Sequence, residues 1–246
     1  LSRPIAFISV GLCLIYAIFR SRVLAEKIAR KGAEVSALTR YFSNDVAAEI
    51  TGNPFEALRP VRLDAAILFL DIRGFTSMSE RMSPDDLASF LGEFRALVVD
   101  EIFRAGGSID KFLGDGVLAT FGIPASREKD HRIRAVDCAL SILNAVDAYN
   151  RTAGHGREEI KIGIGIHAGD VIAGNITSGS RVEYTVLGDV VNTASRIESL
   201  CKTHTSSLLV SGEALLGYPD PAKFKIVGSE KIRGKKEEIT LFRPAS

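Results

Sequence analysis

A short apolar run that ends in an acidic residue constrains the fold of this chain more than any other feature. Six consecutive apolar residues occupy Ala65–Leu70, and Asp71 follows them directly. Because the run has no polar alternation, it predicts a β-strand that is buried on both faces. An ionised carboxylate at the end of such a strand is costly unless a positive charge compensates it. We therefore interpret Asp71 as a metal ligand at the edge of a mixed sheet or, alternatively, as a carboxylate that pairs with Arg73 or caps a helix.

A second carboxylate occupies a predicted turn. Asp115 and Gly116 separate two apolar runs within Ser108–Phe121, and an Asp-Gly pair in this setting favours a β-hairpin. If the hairpin pairs beside the Ala65–Leu70 strand, Asp115 and Asp71 converge. Two carboxylates suit Mg²⁺, which proteins hold with one or two carboxylates plus substrate phosphates. The alternative is that Asp115 forms only the turn.

The rest of the C-terminal three quarters of the chain alternates between helical and extended patterns. Ser83 and Pro84 predict the start of a helix that ends at Gly106, Glu128–Arg151 predicts a second helix, and Asp189 is predicted to cap a third. The strict alternation of Ile160–His167 is typical of a half-buried strand. The remaining predicted elements are a turn at Ala168–Asp170, a strand over Ser207–Val210, a short helix over Ser211–Leu216, a strand over Phe224–Val227 and a hairpin over Glu230–Phe242.

Two polar features of this region are candidate ligand contacts. Asn192 and Arg196 lie one turn apart on the third predicted helix, opposite its apolar face, where an amide and a guanidinium can bind a sugar and a phosphate. Arg233 lies in a basic turn with Lys235 and Lys236, which suggests a phosphate contact. The alternative for both is an ordinary solvated surface.

The N-terminal part has a different character. The uncharged run Ile5–Phe19 is followed by Arg20 and Arg22, a pattern that fits the end of a transmembrane helix with the following chain in the cytoplasm. A buried soluble helix is the alternative. A heptad seam from Leu24 to Phe42 predicts a helix that either pairs in parallel or lies on its own domain.

These patterns divide the chain into three regions. They are the end of a transmembrane helix (residues 1–20), a signalling helix or coiled-coil linker (21–58) and a globular domain (59–246). The 31 Lys and Arg residues balance 30 Asp and Glu residues to a net charge of +1, so no charge excess indicates a nucleic-acid partner. The three cysteines and four histidines make no metal-ligand spacing.

Four stretches taken together resemble the class III nucleotide cyclases. They occur in the expected order across roughly Val61 to Phe242: FLDIRGFT (Phe69–Thr76), DKFLGDG (Asp110–Gly116), EYTVLGDVVNTASRIE (Glu183–Glu198) and IRGK (Ile232–Lys235). The resemblance implies an α+β sandwich with a ferredoxin-like core, preceded here by the transmembrane and coiled-coil helix.

The resemblance also implies roles for individual residues. Two Mg²⁺ or Mn²⁺ ions would be held by Asp71, Asp115 and the Ile72 carbonyl. Lys111 and Thr185 match the positions that select the base, and Lys with Thr there implies adenine. The remaining implied contacts are Asn192 to the ribose, Arg196 to the phosphate in the transition state and Arg233 to the terminal phosphates. Many relatives carry Asp where this chain has Thr185.

The function that follows is a membrane-tethered, homodimeric adenylate cyclase that converts ATP to cyclic AMP and pyrophosphate. In the family, the metal- and base-binding residues come from one protomer and the Asn/Arg helix from the other, and this chain carries both sets. Alternatives are a guanylate cyclase, a catalytically silent nucleotide-binding or dimerisation module and, more distantly, a metal-dependent phosphatase.

Overall fold

The computed structural model describes residues 59–123, 130–152, 159–178, 181–231 and 238–245, together with residues 16, 19–22, 24 and 51. Most of the apolar N-terminal run, most of the heptad segment, the domain boundary near Leu58 and the basic turn with Arg233 therefore lie outside the described residues. Among the described residues, no helix is both long enough and apolar enough to cross a membrane.

Eight strands of the described chain form one mixed sheet. They are β1 (Val61–Ile72), β2 (Ser108–Leu113), β3 (Gly116–Phe121), β4 (Ile162–Ser178), β5 (Arg181–Leu187), β6 (Leu208–Ser211), β7 (Phe224–Glu230) and β8 (Ile239–Pro244). Their order is β2-β3-β1-β4-β6-β8-β7, and β5 pairs with the C-terminal part of β4, residues 172–178. Only the β4–β6 pair is parallel within the described sheet.

Four helices connect the strands in the described part of the chain. They are α1 (Phe75–Ser79), α2 (Pro84–Arg104), α3 (His131–Thr152) and α4 (Asp189–Thr203). The predicted start of α2 is confirmed, because the Ser83 hydroxyl accepts a hydrogen bond from the Asp86 amide at 3.2 Å and Pro84 occupies the first turn. The succession β1-α2-β2-β3-α3-β4, with sheet order β2-β3-β1-β4, is that of a ferredoxin-like core.

The central strand β1 is buried from both sides, as the apolar run predicts. Leu68 and Leu70 pack in a core with α2 and α3, whereas Ala65 and Ile67 pack in a second core with α4. The side chains of a strand point alternately to opposite faces, so one unbroken apolar run serves both layers. Asp71 is thereby placed near the end of a central strand that is covered by helices on both faces.

Two predictions for β4 are wrong, and close packing on α4 explains the first of them. Residues 162–168 are all buried, so the strand is not half-buried, and Ala168–Asp170 continues the strand opposite Asp64–Ala66 instead of turning. A Cβ atom on Gly165 would lie 2.2 Å from the Glu198 amide nitrogen of α4. The glycines alternate with isoleucine because they face the closely packed helix α4 rather than water: Gly165 faces its backbone, and Gly163 faces the side chains of Glu198 and Cys201.

Two further local predictions are also wrong. Asp189 does not cap α4; it is the first helical residue, and Gly188 takes the cap position without a side-chain hydrogen bond. Residues 212–217 form hydrogen-bonded turns instead of a short helix. The final hairpin is formed by β7 and β8, which pair from Phe224 opposite Pro244 to Glu230 opposite Ile239.

Candidate active site

The two carboxylates that the sequence predicts to be metal ligands meet at one end of the sheet. Strand β1 lies antiparallel to β3 with Leu70 opposite Val117, so the end of β1 adjoins the β2–β3 turn that carries Asp115. The Ile72 amide donates to Asp115 Oδ2 at 3.2 Å, and the Asp115 carboxyl lies close enough to Asp71 to raise the pKa of that side chain. The structure thus supplies the proximity that a shared metal site requires.

The negative charge of Asp71 is unfavourable at this end of β1 unless a cation compensates it. Burial, which is the largest cause, and the neighbouring carboxyl groups of Asp115 and Glu198 together raise the pKa of Asp71 from 3.8 to about 7. Arg73 does not compensate Asp71 as the alternative interpretation requires, because its guanidinium donates to the Ser206 carbonyl and its charge acts on Glu198. Asp71 caps no helix either, since α1 starts after Gly74 without a side-chain cap.

The residues present fit a divalent cation of the magnesium type. Two carboxylates in contact form an anionic oxygen cluster, which is the donor set that such ions prefer. In the described ranges, no group of three His, Cys, Asp or Glu side chains could hold a metal ion alone. Asp71, Asp115 and the Ile72 carbonyl would therefore hold such an ion together with ligands from a substrate.

Two neighbouring residues shape this turn, and no sequence pattern indicates either role. Arg95 of α2 lies over the Phe112 ring at 4.6 Å from its centroid and donates to the Gly114 carbonyl at 2.5 Å. A Cβ atom at Gly116 would lie 3.1 Å from the Leu70 carbonyl and 3.3 Å from Asp71 Oδ1. Gly116, the first residue of β3, thus permits the close approach of the hairpin to β1, whereas Gly114 with a φ of 65° takes the left-handed conformation in the turn.

A cleft of about 430 Å³ opens beside the hairpin, between the sheet and the start of α4. Its apolar walls come from Phe69, Leu113, Leu118, Ile176, Val186, Leu187 and Val191. Its polar groups come from Lys111, Glu183 and Thr185, so both predicted base-selecting residues line the same cleft. Apolar walls with a few convergent polar groups are typical of a site for a flat, partly polar ligand.

Lys111 is held in this cleft by two acidic side chains. Its Nζ lies 2.6 Å from Glu183 Oε1 and 3.5 Å from Asp110 Oδ2. The hydrogen bond to Glu183 raises the pKa of Lys111, which keeps the ammonium charged at neutral pH. The sequence does not predict the contact between Lys111 and Glu183, because Glu183 is known there only as the first residue of a motif near the start of a predicted strand.

Thr185 is anchored by Asp110, a residue to which the sequence patterns assign no role. The Thr185 hydroxyl donates to Asp110 Oδ2 at 3.1 Å, and the Val186 amide donates to Asp110 Oδ1 at 3.2 Å. Burial raises the pKa of Asp110, while the charge of Lys111 and these hydrogen bonds oppose the rise. Nothing in an Asp-Lys pair on one strand indicates that the aspartate reaches a strand 75 residues further on.

The predicted ribose and phosphate residues lie on α4. Val190, Ala194, Ile197 and Cys201 form its buried face, as the periodicity predicts. Asn192 is exposed and Arg196 is half-buried. The charged groups that act on Asp71 are Asp115 and Glu198, and neither Asn192 nor Arg196 is among the residues that line the cleft.

Comparisons with known proteins agree with this architecture. The family "Adenylate and Guanylate cyclase catalytic domain" matches residues 61–243. An adenylate cyclase of Anabaena cylindrica is 38% identical over 184 residues, which are 72% of this chain and 36% of that protein. The chain thus spans about a third of the length of this curated relative.

Solved structures show the same fold. The guanylyl cyclase Cya2 is 33% identical with a TM-score of 0.66, covering 76% of this chain and 94% of its own. The adenylyl cyclase CyaB from P. aeruginosa is 26% identical with a TM-score of 0.67, covering 77% and 97%. The chain belongs to the class III adenylate and guanylate cyclase catalytic domain family, and the predicted α+β fold is confirmed.

Proposed function

We propose that this protein is an adenylate cyclase that converts ATP to 3′,5′-cyclic AMP and pyrophosphate. In this reaction the 3′-oxygen forms a bond to the α-phosphorus, the bond from that phosphorus to the bridging oxygen of pyrophosphate breaks, and the 3′-hydroxyl loses its proton. Relatives named for both adenylate and guanylate substrates match the chain, so the choice of ATP rests on the cleft rather than on the family.

The single observation that carries the proposal is the contact between Asp71 and Asp115 beside a base-sized cleft. These carboxylates and the Ile72 carbonyl would hold two Mg²⁺ or Mn²⁺ ions, which when bound would lower the pKa of the attacking hydroxyl and neutralise phosphate charge. Negative charge develops on phosphoryl oxygens during the transfer, so the cationic groups of the site carry most of the catalysis.

Protein side chains bind and orient the rest of the nucleotide. Lys111 and Thr185 lie in the cleft and would contact the Watson–Crick edge of adenine. Asn192 would hold the ribose, Arg196 the phosphate in the transition state and Arg233 the terminal phosphates. Neither Asn192 nor Arg196 is among the residues that line the cleft, so we propose that Arg196 serves the site of a second copy in a homodimer.

The N-terminal helix would attach this dimer to a membrane. The support is the uncharged run Ile5–Phe19 with its basic flank, which would place the catalytic domain on the cytoplasmic side. Tyr16, Phe19 and Leu24 are helical and mostly exposed, so apolar surface of this segment is available to lipid or to a second copy. Recovery of the full chain in the supernatant after sedimentation with lipid vesicles would contradict the attachment.

Product analysis tests the proposed reaction. The full chain is incubated with ATP or GTP and with Mg²⁺ or Mn²⁺, and the products are separated by chromatography. We expect cyclic AMP and pyrophosphate in equal amounts from ATP. Cyclic GMP as the main product would indicate a guanylate cyclase, ADP or AMP a phosphatase, and binding without turnover a silent module.

Replacing one carboxylate tests the observation that carries the proposal. Asp115→Asn keeps the size of the side chain but removes a charge from the predicted metal site, so we expect kcat to fall about 10²–10³-fold. Asp147→Asn removes an exposed carboxylate from α3 and should leave kcat unchanged. Full activity in folded Asp115→Asn would contradict the metal assignment.

A further inference from the structure

We propose that Asp110 positions the Thr185 hydroxyl as a hydrogen-bond acceptor and thereby makes the cleft select a 6-amino purine over a 6-oxo purine. This inference rests on the proposed nucleotide cyclase function and assigns a specificity role to a residue outside the metal- and base-contacting sets. Asp110 is a positioning residue, because it acts on the substrate through Thr185.

The contact geometry fixes the direction of the hydrogen bond. The Asp110 side chain is only 3% exposed; Oδ1 accepts a hydrogen bond from the Val186 amide, and Oδ2 accepts one from the Thr185 hydroxyl with the Lys111 ammonium 3.5 Å away. An ionised carboxylate accepts but cannot donate. The single proton of Thr185 is therefore directed at Asp110, and the side of the Thr185 oxygen that faces the cleft offers lone pairs alone.

The local backbone is built to make this contact. The β2–β3 pairing shifts register between Ile109 and Lys111, so Asp110 has no regular partner on β3. Such irregularities redirect a side chain and recur next to active sites. Here the irregular residue reaches across to Thr185 and Val186 on β5, while Lys111 and Phe112 resume the ladder.

An acceptor at Thr185 discriminates between purines by polarity. The exocyclic amine of adenine donates hydrogen bonds, whereas the O6 atom of guanine accepts them. Because the Thr185 proton is donated to Asp110, the Thr185 oxygen can accept a hydrogen bond from the 6-amino group. With a 6-oxo purine, the Thr185 oxygen and the O6 atom would be two acceptors facing each other. A buried polar group that loses its partner costs far more than a neutral contact, which makes this arrangement selective.

Asp110→Asn is expected to reverse the direction of the hydrogen bond between residue 110 and the Thr185 hydroxyl. The Val186 amide is a fixed donor, so the oxygen of the new amide stays there and its NH₂ group faces Thr185 and donates to it. The threonine proton then turns into the cleft. We expect the ratio of kcat/KM for ATP to kcat/KM for purine riboside triphosphate, which lacks the 6-amino group, to fall about tenfold and kcat/KM for GTP to rise relative to ATP. Any effect through Lys111, whose Nζ lies 3.5 Å from Asp110 Oδ2, acts on ATP and purine riboside triphosphate alike and cancels in this ratio.

The experiment measures these three kcat/KM values for the wild-type full chain, Asp110→Asn and Thr185→Val, with Asp147→Asn as an exposed control. Thr185→Val removes the acceptor while Asp110 stays in place, so it should lower the ATP value about tenfold and leave the purine riboside value unchanged. Asp110→Asn combined with Thr185→Val should lose no more on ATP than either single variant.

The outcomes separate the inference from the proposed function. An unchanged ratio of ATP to purine riboside triphosphate in folded Asp110→Asn overturns the inference while the cyclase activity stands. If Asp110→Asn does not fold, an equal loss of kcat/KM for ATP and for purine riboside triphosphate in Thr185→Val overturns the inference instead. A wild-type chain that makes no cyclic product from any of the three nucleotides refutes the proposed function itself.

Discussion

At the scale of single residues, the candidate site stores an unfavourable interaction that a bound cation would relieve. Asp71 and Asp115 are in contact at the end of a buried strand, and Glu198 adds a third negative charge nearby. Arg73 is directed at Ser206 and Glu198 instead of Asp71. A folded domain tolerates such an arrangement when it serves function, and it should be measurable as a loss of stability in the absence of metal.

The stability of the metal-free chain should therefore depend on pH through Asp71. Its pKa rises from 3.8 to about 7 on folding, so between these values the folded state binds more protons and stability falls as pH rises. Asp71→Asn removes this cost. Because the carboxyl is partly solvated, we expect a Tm gain of about 2–4 °C near pH 8 and almost none near pH 4, measured in chelator.

Asp147→Asn is the matched control for this prediction, because its exposed carboxylate should give the same small Tm change at both pH values. A Tm gain in Asp71→Asn that is equally large near pH 4 would show that the gain does not come from ionisation. Saturating Mg²⁺ with nucleotide should stabilise the wild-type chain but not the variant, since only the wild type can bind the cation fully.

The sequence predicts some of these residues and not others for a clear reason. Asp71 and Asp115 stand out because each breaks an apolar run, and the hairpin signal suggests how they meet. The contacts of Asp110 with Thr185 and of Lys111 with Glu183 cross from β2 to β5, between residues more than 70 positions apart. Local periodicity carries no information on which side chains of two distant strands face each other.

At the scale of elements, the decisive contact is the close packing of α4 on β4. A Cβ atom at Gly165 would lie 2.2 Å from the Glu198 amide nitrogen and 2.6 Å from the Ala194 carbonyl, both backbone atoms that cannot move aside individually. The Ile/Gly alternation in β4 indicates a strand correctly, but it cannot tell a face covered by a helix from a face in water. The elements were thus predictable and this layer contact was not.

Gly165→Ala should therefore displace α4 as a unit. We expect a loss of about 2–3 kcal/mol in the free energy of unfolding, measured by urea denaturation, and a fall in activity, because α4 carries Asn192 and Arg196. Gly92→Ala is the matched control: Gly92 lies exposed inside α2 with no atom within 4 Å of an added Cβ, so it should gain about 0.5–1 kcal/mol. Unchanged stability in Gly165→Ala would contradict the close packing of α4 on β4.

At the scale of the whole molecule, the chain separates two sets of candidate site residues. Asp71, Asp115, Lys111 and Thr185 surround the β2–β3 hairpin and its cleft, whereas Asn192 and Arg196 lie on the outer side of α4. If both sets act on one nucleotide, the second set must come from another copy. A symmetric pair of chains would then contain two equivalent composite sites.

Mixing two inactive variants tests this arrangement. Asp71→Ala disables the metal-binding half of a site and Arg196→Ala the phosphate-binding half, so each homodimer should lack cyclase activity. In a randomly exchanged equal mixture, half of the dimers are heterodimers and each has one intact site, which predicts recovery of about a quarter of wild-type activity. Asp71→Ala mixed with Asp115→Ala is the control and should recover nothing, because both changes damage the same half and leave no heterodimer site complete. Inactivity of the first mixture, with heterodimers confirmed by differently tagged chains, would show that each chain builds its site alone.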